Sequence, residues 1–318
     1  MNYEIKVLKP DEYKQWDELV IRSPYGTVFH SSEWIMTTAS LLSKKYIIFG
    51  AFKKNILLAG CSLYSHNKFL FLPFASSTAP MSPYGGFVFA PSESLKVREN
   101  EQKYNNIIST INTELKKRFV HVSITNSPMM TDIRPFIRER WNHSVKYSYF
   151  YRIDTDIDER LSKKVRWAVR KACTFDLLVE KSKSVEDFIR LHEKTYAKQN
   201  ISSPVSIRYL RGMINFIISK EIGEIWVART TNGEPIAAEI IVFDRKKTHR
   251  WAAAADPAYN YSGATTLLLH TILHNLLARG YNEINLMAGN TPQLTKFISG
   301  FNPDLVIYFS VNKMLFYR

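Results

Sequence analysis

A short loop of small and polar residues before a long apolar helix is the first segment whose composition suggests chemistry. It comprises Tyr261, Ser262, Gly263 and Ala264 and follows a predicted strand. The first N–H groups of a helix lack intrahelical partners and carry partial positive charge. Gly263 and Ala264 offer almost no side chain to block a ligand. The pattern predicts a site for a phosphate, pyrophosphate or carboxylate, unless Gly263 only eases the turn.

A basic amphipathic segment, ERLSKKVRWAVRKACTF, is the second candidate and spans residues 159–175. Its apolar residues recur at helical spacing, which predicts a helix with one buried face. Residues 159–183 contain eight Lys or Arg and three Asp or Glu. Arginine can bind phosphate through two parallel hydrogen bonds, so Lys163, Arg166 and Arg170 are predicted substrate-binding residues. The alternative is an ordinary solvated helix face.

A polar and aromatic segment, residues 289–303, follows a predicted buried strand and is expected to form a loop. Loops at strand ends commonly carry functional residues. Lys296 could polarise a carbonyl or hold an anion and is the candidate catalytic residue, with Asn290 and Phe297 as candidate substrate contacts. The alternative is an exposed lysine beside the packed rings of Phe297 and Phe301.

Other chemical signals are weaker. His270 and His274 are four residues apart on a predicted helix, but no carboxylate nearby in sequence completes a zinc pattern, so no metal site is predicted. Glu239 interrupts an apolar strand and is expected at an exposed or edge position, in preference to a buried general base. The motifs GxSxG, Walker A and GxGxxG do not occur, so neither triad hydrolysis nor nucleotide hydrolysis has motif support.

Composition narrows the class of protein. The chain has 318 residues, 13% aromatic residues and a formal net charge of +14, which describes a folded basic protein and makes an anionic partner plausible. Two cysteines are too few for a disulfide framework. Neither a signal peptide nor a run of about 18 apolar residues is visible, so a cytoplasmic protein is expected, at most in peripheral contact with a membrane.

The predicted elements that position these residues occur twice in the same order. Each half has leading helices, three strands, a helix and a further strand, which predicts an α/β (α+β) protein of two similar lobes, residues 1–152 and 153–318, with a cleft between them. The predicted strands are 46–52, 56–64, 68–74 and 120–125 in the first half, 149–153 at the boundary, and 224–229, 236–243, 248–255 and 282–287 in the second half. The predicted helices are 101–118, 160–171, 184–198, 207–220 and 263–279.

Several motifs of the second half resemble those of the FemAB peptidyltransferases and related N-acyltransferases of the GNAT superfamily. LSKKVRWAVRKA is similar to the family's basic segment through Arg166, Arg170, Lys171 and Ala172. NGEPIAAEIIVF, LLLHTILHNLLARGYNEINLMAGN and LTKFISGFNP resemble its hairpin, its helix and strand, and its closing signature. The resemblance covers nearly the whole chain and implies tandem GNAT-like lobes, each a mixed, mostly antiparallel sheet flanked by helices.

The chain also departs from the family pattern at three places. Asn285 stands where the family often has Asp, and Ile298 stands where the closing Lys is usual, with Lys296 two residues earlier. In the loop before the long helix, Asn260 replaces the Gln or Arg of the acetyl-CoA signature and Thr265 replaces its final small residue. Asn285 is nevertheless a candidate substrate contact by its position.

The resemblance implies transfer of an acyl or aminoacyl group to a primary amine, and a cell-envelope (peptidoglycan) precursor is one candidate for that amine. The donor would be a co-substrate, either aminoacyl-tRNA or acyl-CoA, bound through Tyr261, Ser262, Gly263 and Ala264, and no permanently bound cofactor is implied. Lys296 would stabilise the oxyanion, while Arg166 and Arg170 would bind phosphates of an anionic donor or acceptor. The rival hypothesis is a non-catalytic protein that binds nucleic acid or an envelope polymer on a degenerate acyltransferase fold.

Overall fold

A computed structural model describes residues 3–68, 71–92, 94–199, 202–244, 247–287 and 289–315. The chain forms two compact units. Unit 1 contains Met1–Lys146 and Ile307–Arg318, and unit 2 contains Tyr147–Val306. The division predicted from the sequence, 1–152 and 153–318, differs in that the last residues belong to unit 1.

Unit 1 begins with a short strand and two helices and continues into a mostly antiparallel meander. Helix α3 then leads to a strand that runs parallel to the last strand of the meander. In chain order the elements are β1 (Glu4–Val7), α1 (Tyr13–Arg22), α2 (Ser32–Leu41), β2 (Lys45–Lys53), β3 (Ile56–Lys68), β4 (Leu72–Ser76), β5 (Gly86–Phe89), α3 (Val97–Arg118), β6 (His121–Thr125) and α4 (Arg134–Arg138).

Unit 2 repeats that order, with two helices added before its first edge strand and no counterpart of β5 among the described residues. Its elements are β7 (Asn142–Arg152), which starts in unit 1, α5 (Ile157–Arg160), α6 (Lys163–Cys173), β8 (Leu178–Ser182), α7 (Val185–Gln199), α8 (Ile207–Ser219), β9 (Gly223–Arg229), β10 (Pro235–Asp244), β11 (Lys247–Ala255), α9 (Ala264–Ala278), β12 (Glu283–Met287), α10 (Pro292–Ile298) and β13 (Asp304–Met314). The Asn-Gly turn predicted between β9 and β10 is present, with Gly233 at φ 79°.

The sheet order is the same in both units. Unit 1 has the order β1-β2-β3-β4-β6-β13, with β5 paired to β3, and unit 2 has β8-β9-β10-β11-β12-β7. The final strand of each sheet follows the other repeat in the chain. β13 pairs with β6 in an antiparallel ladder from Ser310–Thr125 to Met314–His121, and β7 pairs with β12. This exchange places Ile307–Arg318 in unit 1 and explains the shifted boundary.

The core of unit 2 holds the elements that carry the candidate site. Helix α9 contributes Leu268, Leu269 and Ile272, which are fully buried against Ile284 of β12. Burial on this scale stabilises the fold by about 1.5–3 kcal/mol for each large aliphatic side chain. The strand–helix–strand unit β11–α9–β12 is therefore the rigid part of unit 2.

The segment expected to be a loop, 289–303, contains helix α10 and a short 3-10 turn, Ser299–Phe301. Pro292 occupies the first helical turn, where its missing N–H costs nothing. Within the described ranges, no helix combines the length and apolar character needed to cross a membrane.

Candidate active site

Two parallel strands of unit 2 part from one another at the start of the candidate site. β11 and β12 pair only over Lys247–His249 with Glu283–Asn285. β11 then continues to Ala255 on its antiparallel partner β10, and β12 follows β7. Along this stretch β11 has Trp251 followed by four alanines, of which Ala253 is exposed. The gap between β11 and β12 is therefore lined on the β11 side by small side chains and by backbone.

Helix α6 packs over the beginning of α9. Gly263 precedes α9 with φ 77°, a conformation that favours glycine. A Cβ atom on Gly263 would lie 2.7 Å from the carbonyl oxygen of Ala168 in α6. The backbone of α6 therefore packs directly against Gly263 on the side where a Cβ atom would lie.

The other predicted donor-binding residues are placed differently from one another. Ser262 and Ala264 are buried, and the Ala264 N–H donates to Ser262 Oγ at 3.2 Å. Tyr261 is 58% exposed, and its ring contacts Phe175 at a centroid distance of 5.6 Å. Only Tyr261 therefore presents a side chain to solvent in this group.

A pocket of about 280 Å³ lies between α6, α9 and α10. The apolar residues that line it are Val165, Ala168 and Phe297. The polar residues that line it are Ser162 and Thr266 with hydroxyl groups, Gln293 with an amide, and Lys164 and Lys296 with ammonium groups. Two ammonium groups beside an apolar floor suit a ligand that carries or develops negative charge.

The register of α10 explains the displaced lysine. Ile298, at the position where the family usually has Lys, is fully buried in the core, whereas Lys296 is exposed and lines the pocket. Phe297 lines the same pocket, and its ring contacts Phe301 at 5.5 Å. The structure therefore brings together Lys296 and Phe297 and adds Lys164, which sequence reasoning had not selected.

The start of α6 is fixed to the turn after α10. Ser162 caps the helix by accepting from the Val165 N–H at 3.3 Å, and its own N–H donates to the Gly300 carbonyl at 3.0 Å. A Cβ atom on Gly300 would lie 2.7 Å from a methyl group of Val165. This close approach holds the two lysine-bearing helices at either side of the pocket.

The outward face of α6 is basic around one exposed tryptophan. Trp167 is 57% exposed, with Lys163 and Lys164 one turn before it and Arg170 and Lys171 one turn after it. The Lys171 ammonium lies 5.1 Å from the Trp167 ring centroid. Among the described residues, no carboxylate forms an ion pair with these four cations.

Arg166 differs from its neighbours on α6. Its guanidinium donates to the backbone carbonyl of Glu159 at 3.3 Å and is partly buried. Of the three cations predicted to bind substrate, Lys163 and Arg170 belong to the exposed face. Arg166 instead connects α6 to the segment that precedes it.

Both predicted asparagines make structural hydrogen bonds. Asn285 is buried, and its Oδ1 accepts from Ser148 Oγ at 2.6 Å and from the Met287 N–H at 2.9 Å, where Met287 adopts φ 56°. Asn290 exchanges two hydrogen bonds with the backbone of Tyr147, at 2.9 and 2.8 Å. These bonds fix the chain that leaves β12 and leave little of either amide for a substrate.

The expectation for Glu239 was wrong. It is 1% exposed in the central strand β10, and both carboxylate oxygens accept from Arg250, at 2.8 and 2.5 Å. The Arg250 guanidinium also lies 5.7 Å from the ring centroid of Phe297. The sequence signal was a pair of opposite charges in adjacent apolar strands, because the register Ile241–Arg250 places Arg250 diagonally across from Glu239 on one face.

The loop before α9 is anchored by a buried carboxylate. Asp256 accepts from Lys194 Nζ at 2.5 Å and from the Ala258 N–H at 2.9 Å. Burial alone would raise its pKa, but these two hydrogen bonds hold the pKa of Asp256 below its ordinary value of 3.8. The carboxylate is therefore ionised at neutral pH and keeps the loop in place.

The two histidines of α9 meet a carboxylate that the sequence did not predict. Asp158 of α5 lies with His270 and His274 so that one ligand atom of each is within 4.8 Å of the others. No carboxylate lies near the two histidines in sequence, and in the structure their partner comes from 112 residues earlier in the chain.

Comparison with known proteins agrees with this architecture. Residues 157–292 match the family model described as an acetyltransferase (GNAT) domain. A crystal structure of FemX has a TM-score of 0.73 at 11% identity, covering 96% of each chain. A tandem GNAT protein from the clavulanic acid biosynthesis pathway has 0.59 at 7% identity and covers all of both chains.

A C-terminal domain of a putative lysylphosphatidylglycerol synthetase from Agrobacterium fabrum is similar too, with a TM-score of 0.59 at 12% identity, covering 95% of this chain and 92% of that one. No curated protein matches this chain by sequence. At these identities the structural likeness establishes a tandem GNAT fold, which confirms the fold predicted from the sequence.

Proposed function

We propose that this chain, whose residues 157–292 form an acetyltransferase (GNAT) domain, transfers an aminoacyl group from aminoacyl-tRNA to a primary amine. The observation that carries the proposal is the arrangement of α6. Its inner face covers the start of α9 and lines the pocket, while its outer face presents Trp167 among four cations without ion-pair partners in the described chain.

Two parts of unit 2 are candidates for binding the phosphates of a donor, the start of α9 and the outer face of α6. A Cβ atom on Gly263 would lie 2.7 Å from the Ala168 carbonyl oxygen, so α6 packs closely against one side of the start of α9. The outer face of α6 is open, and Lys and Arg around an aromatic ring suit a phosphodiester backbone with an unpaired base stacked on the ring. This combination favours a tRNA carrier.

The transfer step requires mainly positioning. The neutral amine attacks the ester carbonyl, the carbonyl oxygen becomes an oxyanion, and collapse breaks the bond to the ribose 3′ oxygen. That oxygen leaves with a proton, and the amine nitrogen loses one. In this proposal the Lys296 ammonium donates to the oxyanion, and Lys164 binds a negative group of the acceptor.

The acceptor is expected to be an anionic molecule with a free amine, such as a cell-envelope precursor. The two lysines and the amide of Gln293 around a cavity of about 280 Å³ fit a carboxylate-bearing side chain or peptide end. The similarity to a putative lysylphosphatidylglycerol synthetase domain, whose named product carries a lysyl group, supports an aminoacyl donor.

A second candidate donor is acyl-CoA, and the parting of β11 and β12 favours it. Beyond His249 the edge of β11 has no second ladder partner among the described residues. The extended, amide-bearing arm of acyl-CoA could pair with such an edge in the manner of a further strand. The similar tandem GNAT protein from the clavulanic acid biosynthesis pathway was solved without AcCoA, which names AcCoA in connection with that protein.

The deciding experiment is a mass-spectrometric screen of aminoacyl-tRNA and acyl-CoA donors against mixed amine acceptors. A product whose mass equals amine plus aminoacyl group, formed only with charged tRNA, supports the proposal. Formation with acyl-CoA alone replaces it with the second candidate. Finding no product with either donor, while the protein binds RNA, supports the non-catalytic alternative.

The role of the α6 face is tested by a double charge reversal, Lys163→Glu with Arg170→Glu. Each lost phosphate contact should reduce the slope of log K against log salt by about one, so the slope for tRNA should fall by about two. The matched control reverses two exposed cations on other helices, Lys14→Glu with Arg208→Glu, and should leave the slope unchanged. Equal slopes in all three proteins would refute the role of this face.

Replacing each of the two pocket lysines by alanine should change a different kinetic constant. Lys296→Ala is expected to lower kcat about 10²- to 10³-fold, as the loss of one oxyanion donor does. Lys164→Ala is expected to raise KM with little change in kcat, because the Lys164 side chain is proposed to bind the acceptor equally well in the ground state and in the transition state. A kcat unaffected by Lys296→Ala would exclude that lysine from the oxyanion site.

A further inference from the structure

We propose that Asp158, His270 and His274 form a binding site for one divalent transition-metal ion, zinc in the first place. The three residues lie in unit 2, on α5 and on successive turns of α9. The site is separate from the acyl-transfer residues and does not depend on the proposed function.

The geometry points to a common ligand. Both histidines direct Nε2 inward, and the two Nε2 atoms are 3.1 Å apart. One oxygen of Asp158 lies 2.6 Å from His270 Nε2, and the other lies 3.4 Å from His274 Nε2. Zinc–nitrogen bonds of about 2.0–2.1 Å in a tetrahedron separate ligand atoms by about 3.3 Å. The two Nε2 atoms are already close to that separation, and the Asp158 carboxylate has to move so that one oxygen lies at a similar distance from both.

The arrangement of the three side chains is what makes a cation fit. When two neutral imidazole Nε2 atoms face each other, one must donate and the other accept. The Asp158 carboxylate lies within hydrogen-bond distance of His270 and supplies an oxygen ligand. A divalent ion would be bound by both lone pairs and by that carboxylate at once.

The donor set identifies the class of metal. Two imidazoles and one carboxylate suit zinc and neighbouring first-row metals, whereas magnesium and calcium prefer oxygen ligands alone. The side chains of His270, His274 and Asp158 are 17%, 42% and 64% exposed, so an ion can enter from solvent and water can complete the coordination. Three protein ligands leave a fourth tetrahedral position.

Binding there would tie the beginning of unit 2 to its central helix. Asp158 belongs to the four-residue helix α5, which immediately precedes the basic helix α6. The histidines belong to α9, whose apolar residues form the core of the unit. Because the ligands come together only in the folded chain, bound zinc should stabilise unit 2.

The test is calorimetric titration of the chelator-treated full chain with zinc chloride, with the metal content measured by elemental analysis. The expected result is one zinc per chain and, at a zinc concentration of 100 times Kd, a rise in Tm of about 5–10 °C. Cobalt should bind with the same stoichiometry and give visible absorption bands of a low-coordinate nitrogen–oxygen site.

Variants locate the ion. Asp158→Asn and His274→Ala should each weaken zinc binding at least about tenfold and abolish the rise in Tm. Two control variants should bind zinc as the unmodified chain does. Glu159→Gln changes the exposed acid next to Asp158, and His143→Ala changes an exposed histidine in strand β7. Circular dichroism of each variant without metal shows that the fold is retained.

Two results would overturn the proposal. The first is the absence of stoichiometric zinc and cobalt binding at neutral pH. The second is binding that persists at one equivalent in both Asp158→Asn and His274→Ala, which would place the metal elsewhere. In either case the three side chains form only a hydrogen-bonded cluster, and the acyl-transfer proposal is unaffected.

Discussion

Replacing Arg250 by Met is the perturbation whose effect the structure predicts most directly. The side chains of Arg250 and Glu239 are 7% and 2% exposed, and the guanidinium donates to both carboxylate oxygens. Methionine replaces the apolar stem of arginine but is shorter, and it leaves the Glu239 carboxylate buried without its partner. The substitution therefore keeps much of the packing and removes the charge that pairs with Glu239.

The magnitude follows from the desolvation of that charge. Removing one partner of a buried pair destabilises proteins by about 3–5 kcal/mol, because the remaining ion cannot recover its hydration. For a unit of this size each kcal/mol lowers Tm by about 2–4 °C, so the melting temperature of unit 2 should fall by about 6–20 °C. Glu239→Leu alone should be comparably harmful, since it leaves the guanidinium unpaired.

The double variant Glu239→Leu with Arg250→Met separates the two explanations of such a loss. If the pair matters because an unpaired charge is costly, the double variant should recover most of the stability, since apolar replacement of a buried pair is often neutral or stabilising by about 1–4 kcal/mol. Differential scanning calorimetry measures the change in Tm, and urea unfolding followed by tryptophan fluorescence gives an independent free energy of unfolding.

Two outcomes would refute this reasoning. A loss below about 1 kcal/mol in Arg250→Met would show that water or another group solvates Glu239 in the variant. A double variant as unstable as the sum of the single variants would show that each side chain acts by packing alone. Arg250 also lies 5.7 Å from the ring of Phe297, so a stable double variant with raised KM would identify Arg250 as a positioning residue for the pocket.

Three further predictions concern the frame of the site. Gly263→Ala should cost about 2 kcal/mol or more in the free energy of unfolding, measured in urea, because φ is 77° and the new Cβ meets the Ala168 carbonyl at 2.7 Å. Asp256→Asn should lower Tm at neutral pH. Because the pKa of Asp256 is depressed in the fold, its contribution is present above the ordinary value of 3.8 and is lost as pH falls through the folded pKa, so the Tm difference from the unmodified chain should vanish in acid. Asn290→Ala, which removes two hydrogen bonds to the backbone of Tyr147, should cost about 1–2 kcal/mol by the same measurement and leave tRNA affinity unchanged.

Local patterns in the sequence predicted the elements whose periodicity and end signals agree. Helix α9 was expected over 263–279 and spans Ala264–Ala278, with Gly280 at φ 79° after it. The hairpin between β9 and β10 was fixed by its Asn-Gly turn. In both cases the information lies within a few residues, so no tertiary contact had to be known.

Long-range pairing was not predictable in the same way. The exchange of β7 and β13 between the two sheets depends on which edge strand each of them pairs with. An apolar strand pattern in the sequence does not specify that partner. The carboxylate of Asp158 reaches the histidines of α9 across 112 residues for the same reason. Helix α10 was expected to be a loop because seven residues give too short a window for periodicity.

The basic helix shows why residue type alone did not settle the site. Residue type made both Gly263 and the cations of α6 candidate phosphate ligands, and in the structure the backbone of α6 at Ala168 packs against Gly263. The inner face of α6 packs against α9 and lines the pocket, so the proposed function assigns a polyanion to its outer face. In that proposal, the acyl group of a carrier bound there has to reach the pocket that Lys164 and Lys296 line. A long, flexible aminoacylated 3′ end could span that distance, and for this reason the proposal places tRNA ahead of acyl-CoA.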